Sequence, residues 1–387
     1  MLIEVHMLQN HAPSNLNRDD TGSPKDCVFG GVRRSRISSQ AIKRAIRCSS
    51  IFQESMNGAG LGYRTRQLPV QVKKLLLERG LSEDMAEIGA MKASGFGNKD
   101  GKEQADLETA QMMYLTPEDI KTVADVIYEA AQEAANPATL KKVDAKSLQV
   151  KAKDTGWRPI TPDVALFGRM ITSDAFRDVQ AAIQVAHAIS THKMEHEFDY
   201  FTAVDDLLDQ LIAEDEKGAG MIGDIEFNSA CYYKYFSLDL DGFVDNLVGL
   251  QGTEHRSELG RLARHTVLAF LRAAVFTSPS GKQNTFAAHQ LPDAILVETR
   301  GQKIPVSYAN AFVKPVQPRG GQDLVELSIQ RFKEHVEQLT RKYSLESEER
   351  LWFTTRDIVI DGTIICETLD DLLRRLDDRL GSWSSHG

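Results

Sequence analysis

The sequence predicts an α+β protein, a ferredoxin-like β-α-β-β-α-β core carrying large insertions. Three observations lead there. Short period-two stretches, the mark of half-buried strands, occur at 2–8, 164–170, 183–189 and 225–235, and a further strand is expected at 294–299. Helical stretches lie between them, one starting near Gln40 and one at 258–276. A block at 61–156 reads as mostly helical and interrupts that order. With 387 residues the chain has room for two or three domains, or one domain with large insertions.

Taken in order, residues 2–8 form the first strand, and a loop rich in Asn, Asp, Pro and Gly follows from 10 to 31. Ser38-Ser39 offers a helix N-cap, and Ile42, Ala45 and Ile46 then make a buried stripe. In the helical block, Leu68-Pro69 opens a helix that ends at Gly80. Thr116-Pro117-Glu118-Asp119 opens another, with cap, first-position proline and acids facing the helix N-terminus; it runs to about Asn136-Pro137. Val164, Leu166, Gly168 and Met170 share one strand face; Ile183, Val185, His187 and Ile189 share a second; Ile225 to Tyr235 form a third. An antiparallel sheet suits them. Between the last two lies an acidic excursion at 191–224, closed by Gly218, Gly220 and Gly223, which reads as a protruding hairpin or helical arm. The helix at 258–276 turns Leu259, Leu262, Ala263, Val267 and Phe270 inward, and two more helices follow at 323–342 and 368–380.

Composition is that of a globular protein, with 42% hydrophobic and 26% charged residues. The apolar stretch at 266–276 is short and interrupted by Arg272, so no membrane span is expected. The N-terminus lacks the pattern of a signal peptide. Cys27, Cys48, Cys231 and Cys366 lie far apart and form no CxxC pair, which suits free thiols in a cytoplasmic protein.

The net charge is -9, yet residues 18–47 hold eight basic side chains against three acids, a local +5 that leaves the remainder at -14. A basic segment on an acidic body points to a local anionic ligand. Its parts fit a phosphate backbone. A helix N-terminus presents unpaired N–H groups, and Ser38, Ser39 and Gln40 can add hydrogen bonds there. Gln40, Lys43 and Arg47 fall at i, i+3 and i+7, opposite Ile42 and Ile46, as a basic stripe. Gly30-Gly31 permits close backbone approach. On charge alone a solvated helix face is the plainer explanation; the arginines before it and the Ser-Ser-Gln cap favour a binding surface.

The run Asn17-Arg18-Asp19-Asp20, Lys25-Asp26, Phe29-Gly30-Gly31, Arg33-Arg34 and Arg36-Ile37-Ser38-Ser39-Gln40 closely resembles the CasC family, the backbone subunits of the type I-E CRISPR surveillance complex Cascade. Further matches follow in order at Gly168-Arg169-Met170, Ala186-His187-Ala188-Ile189, Thr191-His192, 201–206 (Phe-Thr-Ala-Val-Asp-Asp) and Ala309-Asn310-Ala311-Phe312, so the resemblance spans about residues 2–315. It implies an RNA-recognition-type palm (1–60, 157–190 and 225–315), helical fingers (61–156), a projecting thumb (191–224) and a C-terminal helical region (316–387). It also implies that copies stack along the guide RNA as a hexameric backbone, with other Cascade subunits and target DNA as partners, without cofactor or membrane. Arg18, Lys25, Ser38, Gln40, Lys43, Arg44 and Arg47 then stand where the family holds the RNA backbone, and Arg33 and Arg34 are expected to bind RNA beside them. Met170 stands where a side chain packs on bases, and Phe201-Thr202, in the thumb, is expected to bind RNA as well. Val32 occupies a position often basic in the family, and Tyr200 one where Trp also occurs.

His187, His192 and His196 lack a carboxylate or Cys to complete a metal set, so core or hydrogen-bonded histidines are expected. Asp19, Asp20 and Asp26 admit an alternative function, metal-dependent RNA cleavage as in type III backbone subunits. Their orienting Arg18, Lys25 and the loop is preferred, which makes the expected protein a non-enzyme. Lys141, Lys142, Lys146, Lys151 and Lys153 form a second basic cluster after Pro137, solvated or, for Lys141, Lys142 and Lys146, placed to meet target DNA. Phe198, Tyr200 and Phe201 are either thumb core or base wedges.

Overall fold

The computed structural model describes residues 1–156, 158–203, 221–249 and 255–384. The chain divides into two compact units. The first comprises Met1–Phe52, Val185–Leu238 and Phe270–Trp383; the second is built on Gln53–Gln184 and Asp239–Ala269.

Strand β1 (Leu2–Ser14) opens the chain, followed by β2 (Asp26–Phe29), β3 (Val32–Ile37), α1 (Ser39–Arg47) and α2 (Ser50–Ser55). The helical block holds β4 (Tyr63–Thr65), α3 (Leu68–Glu78), α4 (Glu83–Ser94), β5 (Met113–Leu115), α5 (Pro117–Ala134), α6 (Pro137–Lys141), α7 (Ala145–Asp154) and α8 (Pro162–Phe167). There follow β6 (Ile183–Val185), β7 (Ala188–Ser190), β8 (Glu197–Ala203), β9 (Met221–Asp239), α9 (Leu240–Val248), α10 (Arg256–Phe276), α11 (Gln283–Phe286) and β10 (Ala294–Arg300). The chain continues through α12 (Leu324–Tyr343), β11 (Glu349–Thr354), β12 (Ile364–Ile365) and α13 (Leu369–Ser384).

In the main sheet the order is β12-β11-β10-β1-β9-β7-β3-β2. Its middle four strands, taken in chain order as first (β1), second (β7), third (β9) and fourth (β10), lie 4-1-3-2. With α1 between the first two and α10 between the last two, this is the expected β-α-β-β-α-β plan. β1 pairs antiparallel with β10 from Leu2↔Arg300 to Leu8↔Ala294. The strands are not half-buried as alternation suggested: Ala230 to Leu238 and Ala294 to Arg300 are buried on both faces. One face packs on α12 through Leu8, Tyr233, Leu296, Ile329, Phe332 and Trp352. A buried ionic network crosses the same sheet. Glu298 meets Arg300 at 3.0 Å and Arg350 at 2.8 Å, and Arg300 meets Glu4 at 3.2 Å. Charges buried in such a network cost several kcal/mol each to desolvate and are tolerable only when mutually paired.

In the second unit, α3, α4 and α5 bury Leu68, Val72, Leu76, Met85, Val123 and Ile127 against one another. Thr116 and Asp119 close a capping box, each accepting the other's backbone N–H.

Four sequence expectations are corrected. Residues 10–31 are not wholly loop, because β1 extends to Ser14 and β2 pairs with β3. Val164 and Leu166 belong to α8, which Pro162 starts after Thr161 and Gly168 ends at φ +73°, a conformation that favours glycine. The alternation at 183–189 is broken between β6 and β7. The C-terminal region is not purely helical, since β11 adds to the sheet beside β10. At the arm expected for 191–224, β8 pairs antiparallel with the start of β9, with Phe198 opposite Glu226 and Tyr200 opposite Asp224. Gly218 and Gly220 lie outside the described residues.

Candidate nucleic-acid interface

Helix α1 is capped as predicted. The Ser38 side chain accepts the Ala41 N–H at 3.3 Å, and Ser38 N–H donates to Asn17 Oδ1 at 2.9 Å, tying the helix start to the preceding loop. Ser38 is thereby buried, so it organises the surface instead of presenting itself on it. Ile42 and Ile46 are buried, while Gln40 and Arg44 are exposed and Lys43 and Arg47 half-buried. No acid occupies the first turn, and Arg44 and Arg47 sit in the last.

The loop carrying Arg18 is a tight, self-supported turn. Asp19 Oδ1 accepts the Thr21 hydroxyl at 2.7 Å and the N–H groups of Thr21 and Ser23 at 2.9 and 3.0 Å. The Thr21 hydroxyl bond, helped by the loop N–H groups, holds the Asp19 carboxyl below the usual carboxylate range. Lys25 N–H closes the turn on Asn17 O at 2.8 Å. Arg18, Asp19 and Asp20 are exposed, and Asp26 is paired with Arg33.

An open groove of about 840 Å³ runs beside this turn. It is lined by residues 16–22, by Arg44 and the cap residue Cys48 of α1, and by residues 277–281. The last wall was not anticipated. Gly281 seats it on the end of β1, where a Cβ would collide with the Leu16 and Asn15 carbonyl oxygens. Its only sequence signal is the turn-forming run Ser278-Pro279-Ser280-Gly281.

Arg34 is a correction. It is fully buried, and its guanidinium donates to the carbonyls of Phe29 (3.3 Å), Ser190 (3.1 Å), Phe312 (2.7 Å) and Val313 (3.2 Å). It clamps the β2–β3 hairpin to the Ala309–Phe312 turn and is closed to RNA. Its neighbour Arg33 points the other way and is exposed. Gly30 is required by the same junction: its φ is +62°, and a Cβ would strike the Val313 carbonyl. The close approach expected of this glycine is to the chain itself.

The histidines do not converge. His187 Nδ1 accepts the Ser39 N–H at 3.1 Å, His192 Nδ1 lies 2.8 Å from Lys193 O, and His196 pairs with Glu226. Among the described residues no group of three His, Cys, Asp or Glu is placed to hold a metal.

In the hairpin of β8 and β9, Phe198, Tyr200 and Phe201 are exposed, as is Thr202. Phe201 lies against Gly223, whose missing side chain makes room for the ring. These aromatics of β8 are therefore not core within this chain.

Met170 belongs to the second unit and is 92% exposed. The residues around it are fixed. Arg169 bridges Val179, donates to Arg177 O at 2.8 Å and pairs with Asp119 at 2.5 Å; Ile171 N–H donates to Asp178 Oδ1 at 2.7 Å. The capping-box aspartate thus also anchors the loop that displays Met170. Of the second basic cluster, Lys141 and Lys142 are exposed. Lys146 is not available to DNA: its ammonium donates to Lys99 O (2.6 Å), Gln149 Oε1 (3.3 Å) and Asp174 Oδ2 (2.9 Å).

A family model for CT1975-like proteins matches residues 3–375. No curated protein matches the chain. Among solved structures, a chain of a "CRISPR RNA-guided surveillance complex, pre-nicking" aligns with a TM-score of 0.80 and 28% identity, covering 98% of this chain and 100% of that one. A chain of a "CRISPR RNA-guided surveillance complex" has the same fold, with a TM-score of 0.72 and 23% identity over 98% and 100% of the two chains.

Proposed function

The chain belongs to the CT1975-like protein family, and on that premise we propose that it is the guide-RNA-binding backbone subunit of a CRISPR surveillance complex of the Cascade type, type I-E. The supporting observation is the cationic surface of residues 18–47, on a chain similar along its whole length to a chain of such a complex. Arg18, Lys25, Gln40, Lys43, Arg44 and Arg47 hold phosphates, and Met170 and the thumb aromatics pack on bases. Contacts of these kinds do not read sequence. Pairing by the guide then reads the target DNA, and the protein supplies only the scaffold.

The acids of the surface serve this role without chemistry. Asp19 holds its own turn and Asp26 holds Arg33, so the subunit grips its guide without cutting it. Further copies in a hexameric backbone, other Cascade subunits and target DNA are the partners, in the cytoplasm. Because the body is acidic outside residues 18–47, bare copies repel, and guide phosphates bring them into line. A head-to-tail contact made by the thumb then generates an open helical array.

The test is co-expression with a CRISPR array, followed by light scattering on complexes whose guides differ in spacer length. A discrete guide-sized RNA should co-purify, and particle mass should rise with spacer length. Purification free of RNA, or a mass independent of spacer length, would refute the reading. Complementary RNA incubated with Mg²⁺ or Mn²⁺ should stay intact; regular cuts lost in Asp26→Ala would make the protein a nuclease.

A further inference from the structure

A neutral imidazole has one N–H and one bare nitrogen, and the partner of either ring atom decides which is which. In this chain Ser39 N–H, at the first position of α1, donates to His187 Nδ1 at 3.1 Å. Nδ1 is therefore the acceptor, and the one proton of the neutral ring sits on Nε2. His187 lies in the break between β6 and β7 and is exposed to solvent. Among the described residues none accepts a hydrogen bond from Nε2.

Three cations from three different elements act on this ring: Arg36 from β3, Lys25 from the turn before β2, and Lys43 from α1. Partial burial, and then these charges, hold the ring below the ordinary histidine pKa, so at neutral pH it is an uncharged donor. A hydrogen-bond donor of fixed direction in a positive field is a complement to an anion.

We infer that His187 is a phosphate-contacting residue of the RNA surface, its Nε2–H donating to a non-bridging oxygen of a guide phosphate that Lys25, Arg36 and Lys43 draw to the same place. The inference rests on the RNA-binding reading above and deepens it. His187 also takes the helix N–H that a phosphate would otherwise meet. The ring relays the helix N-terminus outward, and the guide need not approach the backbone of α1.

A neutral donor has a signature that a lysine lacks. Binding of a cationic side chain to a phosphate releases counterions and steepens the salt dependence, by ~0.7 in the log-log slope for a single strand. A contact from an uncharged N–H adds affinity and leaves that slope alone.

The experiment is fluorescence anisotropy of the full chain with labelled single-stranded RNA of mixed sequence, over a NaCl series at pH 7.5. His187→Asn keeps an acceptor for Ser39 N–H and removes the outward donor. It should raise Kd by about tenfold, the worth of one hydrogen bond to a charged group, with salt slope and Tm unchanged. Lys43→Ala, run in parallel, should lose affinity and flatten the slope. His187→Gln, whose amide reaches toward the Nε2 position, should recover part of the loss. His187→Asn binding like wild type while Lys43→Ala is weakened would overturn the histidine contact and leave the RNA surface standing. A slope flattened in His187→Asn as in Lys43→Ala would overturn the neutral-donor assignment. A fall in Tm in both histidine variants, with no recovery by Gln, would mark the ring as a structural cap only. Wild-type binding by all three variants would remove the RNA surface itself.

Discussion

Two stretches of this chain carry surplus positive charge and use it differently. At 141–153 two of the five lysines are engaged: Lys146 spends its ammonium on Lys99 O, Gln149 and Asp174, and the exposed Lys151 lies 3.6 Å from Glu133. At 18–47 two of the three acids are occupied, Asp19 by its own turn and Asp26 by Arg33, and Arg18 and Arg44 face a groove. The two stretches look alike as charge counts. What separates them is where the carboxylates are engaged, and that is set by tertiary neighbours rather than by composition.

The sharpest way to break the comparison is from inside the first stretch. Arg34→Ala leaves four carbonyls in a buried site without their donor, and should cost about 3–5 kcal/mol in urea denaturation. Arg33→Ala, one residue away and exposed, should stay within ~0.5 kcal/mol. Equal losses would show that burial does not distinguish the two arginines.

Acid should act on neither stretch of solvated cations, which keep their charge throughout, but on the strand beneath. Burial, and next the Lys234 charge, lower the His11 pKa from 6.5 to about 3. Below pH 6.5 the unfolded chain takes up a proton that the folded chain refuses, so stability should fall as pH drops from 6.5 toward 3. Above 6.5 this histidine contributes nothing. At pH 4.5, about two units below 6.5, the loss should be at most roughly 3 kcal/mol at ~1.4 kcal/mol per pKa unit. Unfolding curves at pH 7 and pH 4.5 should diverge less in His11→Asn than in wild type; identical divergence would discard the assignment.

Met170→Ala should weaken RNA binding by ~1–3 kcal/mol for each stacked base, with Tm unchanged because the side chain touches solvent. A large drop in Tm would make it core. The smallest effects compare the two stretches directly. Lys43→Ala/Arg47→Ala should flatten the salt dependence of RNA binding by ~0.7 per lost contact. Lys146→Ala should leave that dependence untouched and cost at most ~1 kcal/mol of stability. A Lys146 variant with a flattened slope would erase the difference between the stretches.

Much of the scaffold could be read from local rules. The Thr116–Asp119 box, the Pro69 start and the Ser38 cap are each specified within four residues, and each is where expected. Val164 to Met170 misled because alternation over so few residues fits either a strand or one side of a short helix, and Thr161-Pro162 decides for the helix. Arg33 and Arg34 could not be told apart: successive residues of a strand face opposite ways, and which one faces inward depends on the pairing of Arg36 with Ile189. The groove wall at 277–281 and the His187–Ser39 bond join segments far apart in the chain, and no periodicity reports such a meeting.

The clamp at Arg34 also sets a clock. Its last acceptor, Val313, is 279 residues downstream. At ~5–20 residues per second of synthesis, roughly a quarter of a minute to a minute passes before that carbonyl leaves the ribosome. Until then the β2–β3 hairpin has no anchor, and β1 lacks β10 beside it. The basic stretch emerges early but acquires its finished geometry late. On the proposed RNA-binding role, a nascent chain should carry positive charge ahead of the finished surface, and tight capture of RNA should be confined to nearly complete molecules.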